Sequence, residues 1–222
     1  MAVEIITTSD GSHSLLNKEL NETYHSVHGA VQESVHVFIK NGFDFLFEQA
    51  YPENVAILEI GFGTGLNALL TVQHAAALKN QITYTSLEAY PVAEEIWSKL
   101  NYPSSAEMQA VFKDLHQAAW NTEVSIATNF KLIKLHQTLQ DTSLPPASFD
   151  LVYFDAFAPN KQPEMWTLEI LGKVVNLMKP EAVFVTYCAK GQLKRDLKSL
   201  GLTVETLSGP PGKKEMVRAT NR

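Results

Sequence analysis

One cysteine in 222 residues, Cys188, leaves no partner for an intrachain disulfide, and its apolar surroundings mark it as a buried structural thiol. Long apolar runs are also missing. None approaches the ~20 residues that span a bilayer, so no membrane partner is expected. Met1 to Asp10 lacks the basic start, apolar centre and small-residue cleavage site of a secretory signal, and the chain reads as cytoplasmic. Excess positive charge is absent too: the formal net charge is −6, which argues weakly against nucleic acid as a partner. The distribution qualifies that sum. From Thr186 onward there are eight Lys/Arg against three Asp/Glu, so a basic C-terminal edge follows a strongly acidic remainder. Repeats, low-complexity tracts and linkers are lacking, so the expectation is one domain over 1–222, with residues 1–54 as an N-terminal cap segment and 55–222 as its core.

With 45% hydrophobic and 19% charged residues the chain has the composition of a globular protein with a sizeable core. Seven strand-like runs stand out, at Val55–Ile60, Ile82–Glu88, Phe130–Leu135, Phe149–Phe154, Ala182–Tyr187, Leu202–Leu207 and Glu215–Ala219. Helical spacing fills most of the gaps, at Leu66–Leu78, Ala93–Leu100, Ser105–Trp120, Glu164–Met178 and Gly191–Leu200. Alternation of strand and helix predicts an α/β fold with a mostly parallel, seven-stranded sheet. The last two strands are joined only by "SGPPGKK", too short for a crossover helix, and therefore form an antiparallel hairpin. Val35, Phe38, Ile39, Phe43, Leu46 and Phe47 predict a further helix, broken near Gly42, over one sheet edge.

"VAILEIGFGTGLNALLT" is a buried strand, a glycine turn and a helix start. Three glycines leave room for a ligand against the backbone, and the helix start offers free N–H groups. A third glycine at position 66 would make it a dinucleotide fingerprint, but Leu66 stands there. Asn67 and Ala68 replace the Lys-Ser/Thr of a Walker loop. The remaining pattern, Glu59-x-Gly61-x-Gly63-x-Gly65, is similar to the first motif of Rossmann-like methyltransferases that use S-adenosylmethionine. An acid ending the next strand, Glu88 in "TSLEAYP", is placed to accept hydrogen bonds from both ribose hydroxyls of a nucleoside. The cofactor side is thus expected to comprise Glu59, Gly61, Phe62, Gly63, Thr64, Gly65, Asn67, Glu88 and Ala89.

The fourth strand ends at Asp155 and runs into "AFAPNKQPEMW". Ligands of open α/β sheets bind at the carboxyl ends of the strands, so Asp155 belongs beside the cofactor's reactive end. A carboxylate there accepts a hydrogen bond from an amine, orients it and takes up its proton. Phe157 walls the site or stacks on a base, and Pro159 fixes the loop. The alternative is that Asp155 caps the helix containing Trp166.

"EIGFGTGLNALLT", "SLEAYP", "YFDAFAPNKQPEMW" and "GLTVETLSGPPGKKEMVRA" together resemble the methyltransferase half of the MnmC family of bacterial tRNA-modifying enzymes, over about Asn21 to Ala219. That resemblance implies a Rossmann-like fold, S-adenosylmethionine as cofactor and transfer of its methyl group to the aminomethyl group of 5-aminomethyl-2-thiouridine at the tRNA wobble position. It makes Asp155 the residue nearest the amine and brings "TYHSVHGAVQES" over the cofactor. Tyr24, His28, Gly29 and Glu33 then join Phe157, Pro159, Lys161 and Tyr187 on the substrate side. It also implies that a separate enzyme supplies the free aminomethyl group, because in the bifunctional proteins an FAD-dependent oxidase does so. One departure stands out: the acid usual after the third strand is missing from "KLIKLHQTLQD", so His136 or Gln137 is expected to hold adenine in its place.

Lys190, Lys194 and Lys198 fall at i, i+4 and i+8, and Lys213 and Lys214 on the hairpin turn. Lys190, Lys213 and Lys214 are candidate phosphate contacts to a tRNA anticodon stem-loop; a solvated basic face is the alternative. His25, His28 and His36 lack the supporting acid and cysteine pattern of a metal site, and no metal is expected. Two rival functions remain open: a small-amine transferase resembling the polyamine aminopropyltransferases, against which the "FAPNKQPEMW" string argues, and a catalytically silent module that binds S-adenosylmethionine or RNA.

Overall fold

The computed structural model describes residues 3–49 and 53–222. A three-stranded antiparallel sheet opens the chain, formed by β1 (Val3–Thr7), β2 (His13–Asn17) and β3 (Glu22–Thr23). One helical stretch follows, as α1 (Ala30–Ser34), a π-helical segment (Val35–Asp44) and α2 (Phe45–Gln49). Then come β4 (Asn54–Ile60), α3 (Leu66–Ala75), β5 (Gln81–Leu87), α4 (Glu94–Trp97), α5 (Ala106–Gln117), β6 (Glu123–Ala127), β7 (Phe130–Leu135) and β8 (Phe149–Phe154). A 3₁₀ turn (Pro163–Trp166), α6 (Leu168–Leu177), β9 (Met178–Thr186), α7 (Gly191–Ser199), β10 (Thr203–Ser208) and β11 (Glu215–Thr220) complete it.

The main sheet runs β10-β11-β9-β8-β4-β5-β7-β6. Its centre is parallel, and the expected antiparallel hairpin of β10 and β11 closes one side. Eight strands replace the expected seven, because β6 pairs antiparallel with β7 at the other edge. Its sequence, EVSIA, has no fully buried residue and carries an irregular register, so it lacks the continuous apolar signature of the strands beside it.

Period-two alternation divides the core. Ile57, Tyr84, Leu151 and Tyr153 face a layer built on the π-helical segment, α3 and α5, whereas Leu58, Ile60, Val152 and Phe154 face α6 and α7. The expected break at Gly42 does not occur. The helical stretch continues through it and packs on the sheet face, with Phe38 against Tyr153 at 5.2 Å, rather than over an edge. A Cβ at Gly42 would lie 3.0 Å from Val185 Cγ2 and 3.3 Å from Tyr153 Cε1, so the glycine serves close approach of helix to sheet.

Candidate active site

Three adjacent strand ends build the site. β4 delivers Gly61, β5 delivers Glu88 and β8 delivers Asp155, at the point where the order of connection reverses. Backbone hydrogen bonds knit them together: Gly61 N–H to Leu87 O at 2.9 Å, Glu88 N–H to Leu135 O at 3.0 Å and Asp155 N–H to Ile60 O at 3.1 Å. The crossing is close enough that a Cβ on Gly61, whose φ is +95°, would sit 2.9 Å from Asp155 O. Glycine is therefore required twice over there, by conformation and by space.

These ends floor a cavity of about 770 Å³, within the size range of small-molecule sites. Tyr24, Glu33, Gly61, Phe62, Gly63, Thr64, Asn67, Glu88, Ala89, Gln137, Asp155, Phe157, Tyr187 and Lys213 line it. Other residues singled out from the sequence lie elsewhere. Glu59 is wholly buried behind the cavity, accepting from Ser86 Oγ at 2.6 Å. Gly65 is the left-handed residue before α3, packed under His116. His136 leans on Trp120 at 5.4 Å, outside the lining, so of the two residues proposed for adenine only Gln137 faces the cavity. Gly29 is buried against Asp10, and exposed His28 packs on Gly212 of the β10–β11 turn. Pro159 and Lys190 border a separate small pocket. Lys161 donates to the carbonyls of Leu20 and Asn21 at 2.9 and 3.1 Å, and Lys214 is exposed.

The basic edge is narrower than its sequence suggests. Lys194 pairs with Glu215 at 3.1 Å, and Lys213 turns inward to Glu33 with its Nζ 3.9 Å from the centre of the Tyr187 ring. Lys190 is the residue before α7 rather than part of its face.

Segment 20–34 roofs the cavity and is tied to the core loops by side chains. Tyr24 meets Phe157 edge-on at 5.0 Å, and a Cβ on Gly63 would approach its ring to 3.2 Å. His25 Nε2 lies 2.7 Å from Thr64 Oγ1, and Glu33 accepts from the Ser26 N–H at 2.7 Å while pairing with Lys213. His25 was not singled out by its sequence pattern, nor were Tyr90, Thr138, Leu139 and Met165, which also line the cavity. Nothing local distinguishes them; their positions depend on how the roof and loops meet.

The Asp155 loop is held from several sides. Trp166 Nε1 donates to Phe157 O at 2.7 Å, Tyr187 OH to Ala156 O at 2.9 Å and Phe157 N–H to Gln162 Oε1 at 3.3 Å. Thr167 caps α6, accepting from Ile170 N–H, and the preceding 3₁₀ turn has no side-chain cap. The capping alternative for Asp155 therefore falls away. Its Oδ2 accepts instead from Asn67 Nδ2 at 2.8 Å.

Burial sets the charges. Asp155 keeps an edge open to the cavity but is otherwise enclosed by protein, and loss of water, with Glu33 adding repulsion, pushes its pKa up to about 7. Glu88 is raised by burial against the opposing pull of backbone N–H groups. Its oxygens accept from Gly63 and Tyr90, each at 2.8 Å, so the carboxylate is fixed and faces the cavity with lone pairs to spare. Burial pushes His25 down to about 4, leaving a neutral imidazole. Among the described residues no group of three His, Cys, Asp or Glu is placed to hold a metal, and no helix is long and apolar enough to cross a membrane.

Comparison with known proteins gives the same picture at coarser grain. A family described as S-adenosyl-L-methionine-dependent methyltransferase matches residues 85–222. Two curated relatives, each named tRNA 5-methylaminomethyl-2-thiouridine biosynthesis bifunctional protein MnmC, are similar over most of the chain. That of Nitrosospira multiformis is 29% identical, covering 92% of this chain and 35% of its own length. That of Cupriavidus necator is 30% identical, covering 91% and 32%. This chain thus spans about a third of the length of these relatives. The crystal structure of MnmC2 from Aquifex aeolicus superposes with a TM-score of 0.83 at 24% identity, over 100% of this chain and 71% of that one, and so shares its fold.

Proposed function

The chain belongs to the family of S-adenosyl-L-methionine-dependent methyltransferases, and from that premise we propose that it methylates the aminomethyl group of a tRNA wobble uridine, 5-aminomethyl-2-thiouridine, to methylaminomethyl. The observation that carries the reading is Asp155, a carboxyl with a pKa near neutrality, sharing one cavity with the glycine loop and Glu88. The names of the MnmC relatives supply the choice of nucleoside.

The cavity fits the cofactor. Gly61 and Gly63 present bare backbone to the cavity, Glu88 offers a carboxylate to ribose hydroxyls, and Ala89 and Gln137 line the wall assigned to adenine. Gln137 is partly exposed on the cavity wall, and its amide presents both donor and acceptor to a base edge. When bound, S-adenosylmethionine supplies an electrophilic methyl group. The protein's part is to hold the amine in line and free its lone pair. Asp155 accepts an N–H hydrogen bond from the amine and takes its proton, since an ammonium has no lone pair to attack with. Phe157 and Tyr24 wall the reacting centre against water and offer ring surfaces to an extruded base. The free aminomethyl group requires a separate preceding reaction, and the exposed Lys190 and Lys214 are assigned to the phosphates of an anticodon stem-loop.

Incubation of the purified chain and S-adenosylmethionine with tRNA bearing 5-aminomethyl-2-thiouridine, followed by nucleoside mass spectrometry, tests this. One added methyl on that nucleoside is the expected product, with none on the carboxymethylaminomethyl form. Methylation of a free polyamine instead, or of nothing, would overturn the assignment.

A further inference from the structure

Glu59 opens the glycine motif, yet it does not reach the cavity that the motif builds. The strand alternation that buries Ile57 beneath α3 puts Glu59 on the same face, with no exposed surface. One oxygen, Oε2, accepts from Ser86 Oγ at 2.6 Å. The other, Oε1, has no partner at hydrogen-bonding geometry, and neither do the buried Asn67 Oδ1 and Tyr84 OH. Asn67 and Tyr84 nonetheless lie near enough to act on the Glu59 carboxyl. Asn67 also reaches the other way, donating Nδ2 to Asp155 Oδ2 at 2.8 Å. One amide therefore stands between a carboxyl sealed in the core and the carboxyl that faces the cavity.

A terminal amide can present either its N–H or its C=O side to Asp155, and only the N–H side suits a carboxylate. Something behind Asn67 has to select that side. A proton on Glu59 Oε1 makes it a donor, which the unpartnered Asn67 Oδ1 can accept with the amide oriented as observed. Burial favours that protonated form and outweighs the Ser86, Tyr84 and Asn67 side chains, whose donors favour the charged one, so the Glu59 pKa is pushed up to about 8. The other groups facing this pair are few: the uncharged Tyr84 hydroxyl is a second donor toward Glu59, the charge on Asp155 favours a protonated Glu59, Tyr153 is held uncharged by burial, and Glu33, Lys213 and Tyr187 act on Asp155.

We propose that Glu59 is a positioning residue for the transfer: its carboxyl orients the Asn67 amide, and through that amide the Asp155 carboxylate, without touching cofactor or substrate. This rests on the methyl-transfer reading of Asp155 given above. It assigns the first acid of the glycine motif to the chemistry of the fourth strand rather than to the cofactor.

The test compares Glu59→Leu, Glu59→Gln, Asn67→Ala and the Glu59→Leu/Asn67→Ala double variant, with two readouts. In methyl transfer, Glu59→Leu should lower kcat by about 10- to 100-fold, the scale of a misplaced catalytic group, with KM for S-adenosylmethionine and tRNA little changed. Glu59→Gln, whose amide keeps a donor toward Asn67, should recover most of that loss, and the double variant should be no slower than the worse single one. In carboxyl-carbon NMR, the Asp155 titration midpoint should rise by about one pH unit in Glu59→Leu and in Asn67→Ala, the worth of one hydrogen bond to a charged group, and stay near its native value in Glu59→Gln. A loss in Glu59→Leu confined to KM for S-adenosylmethionine, additive losses in the double variant, or an unmoved Asp155 midpoint would each overturn the proposal. Should Glu59→Leu fail to fold, Glu59→Ala takes its place in both readouts, with the same expected and overturning outcomes. The NMR readout needs no turnover, so absence of tRNA methylation by the native chain would defeat the functional reading while leaving this one decided by the midpoint.

Discussion

Asp155 is held in the charged form only by a narrow margin. Its midpoint of about 7 comes first from burial, then from Glu33, so below neutrality it is protonated and cannot take a proton from the proposed amine substrate. We therefore expect kcat to be low in acid and to rise with pH through about 7. His25 does not contribute to that rise, being neutral well below it. Asp155→Asn should keep S-adenosylmethionine affinity, slow transfer by roughly 10²- to 10⁴-fold and remove this limb; calorimetry with a pH series of single-turnover rates checks all three. Asp155 and the glycines were legible in sequence because each terminates a strongly apolar strand. Glu59 was misplaced for the opposite reason: in "VAILEI" both faces are apolar, which hides the alternation that sends it away from the cavity.

At the scale of elements, the roof controls this limb through charge. Lys213 of the β10–β11 turn lowers the Asp155 midpoint and Glu33 of α1 raises it. Lys213→Met should move the acid limb upward and Glu33→Gln should move it downward, both read from pH–rate profiles; a common direction for both would show that the roof acts by packing alone. The π-helical segment makes a separate prediction. Helix propensity ranks glycine about 1 kcal/mol below alanine in a helix interior, yet Gly42 faces Val185 and Tyr153 at contact distance. Gly42→Val should therefore lower stability by about 1–3 kcal/mol, as overpacking does, measured by urea unfolding. Six apolar positions revealed this helix in the sequence. Its glycine suggested a break, because propensity is a local property and the need for close approach to a sheet is not.

At the scale of the molecule, a basic C-terminal edge sits on an acidic chain, but ion pairs consume part of it. Lys194 and Lys213 have carboxylate partners, whereas Lys190 and Lys214 are exposed. If the proposed tRNA surface includes the exposed pair, neutralising Lys190 and Lys214 should flatten the salt dependence of tRNA binding by roughly 0.7 to 0.9 log units per lost contact. Neutralising Lys194 should leave the slope unchanged, and filter binding over a salt series separates the cases. The alternating apolar runs and the glycine turn determined the α/β class, the mostly parallel sheet with its C-terminal hairpin, and the residues at the carboxyl ends of its strands, because burial on both faces and a tight turn each leave a local mark. The edge strand β6, the N-terminal sheet, the roof with His25 against Thr64, the withdrawal of Lys213 from the surface and the placement of Glu59 behind Asn67 were decided only in the tertiary structure. Each depends on which segments distant in sequence come to lie together, and a pairing between elements leaves no periodicity in either one.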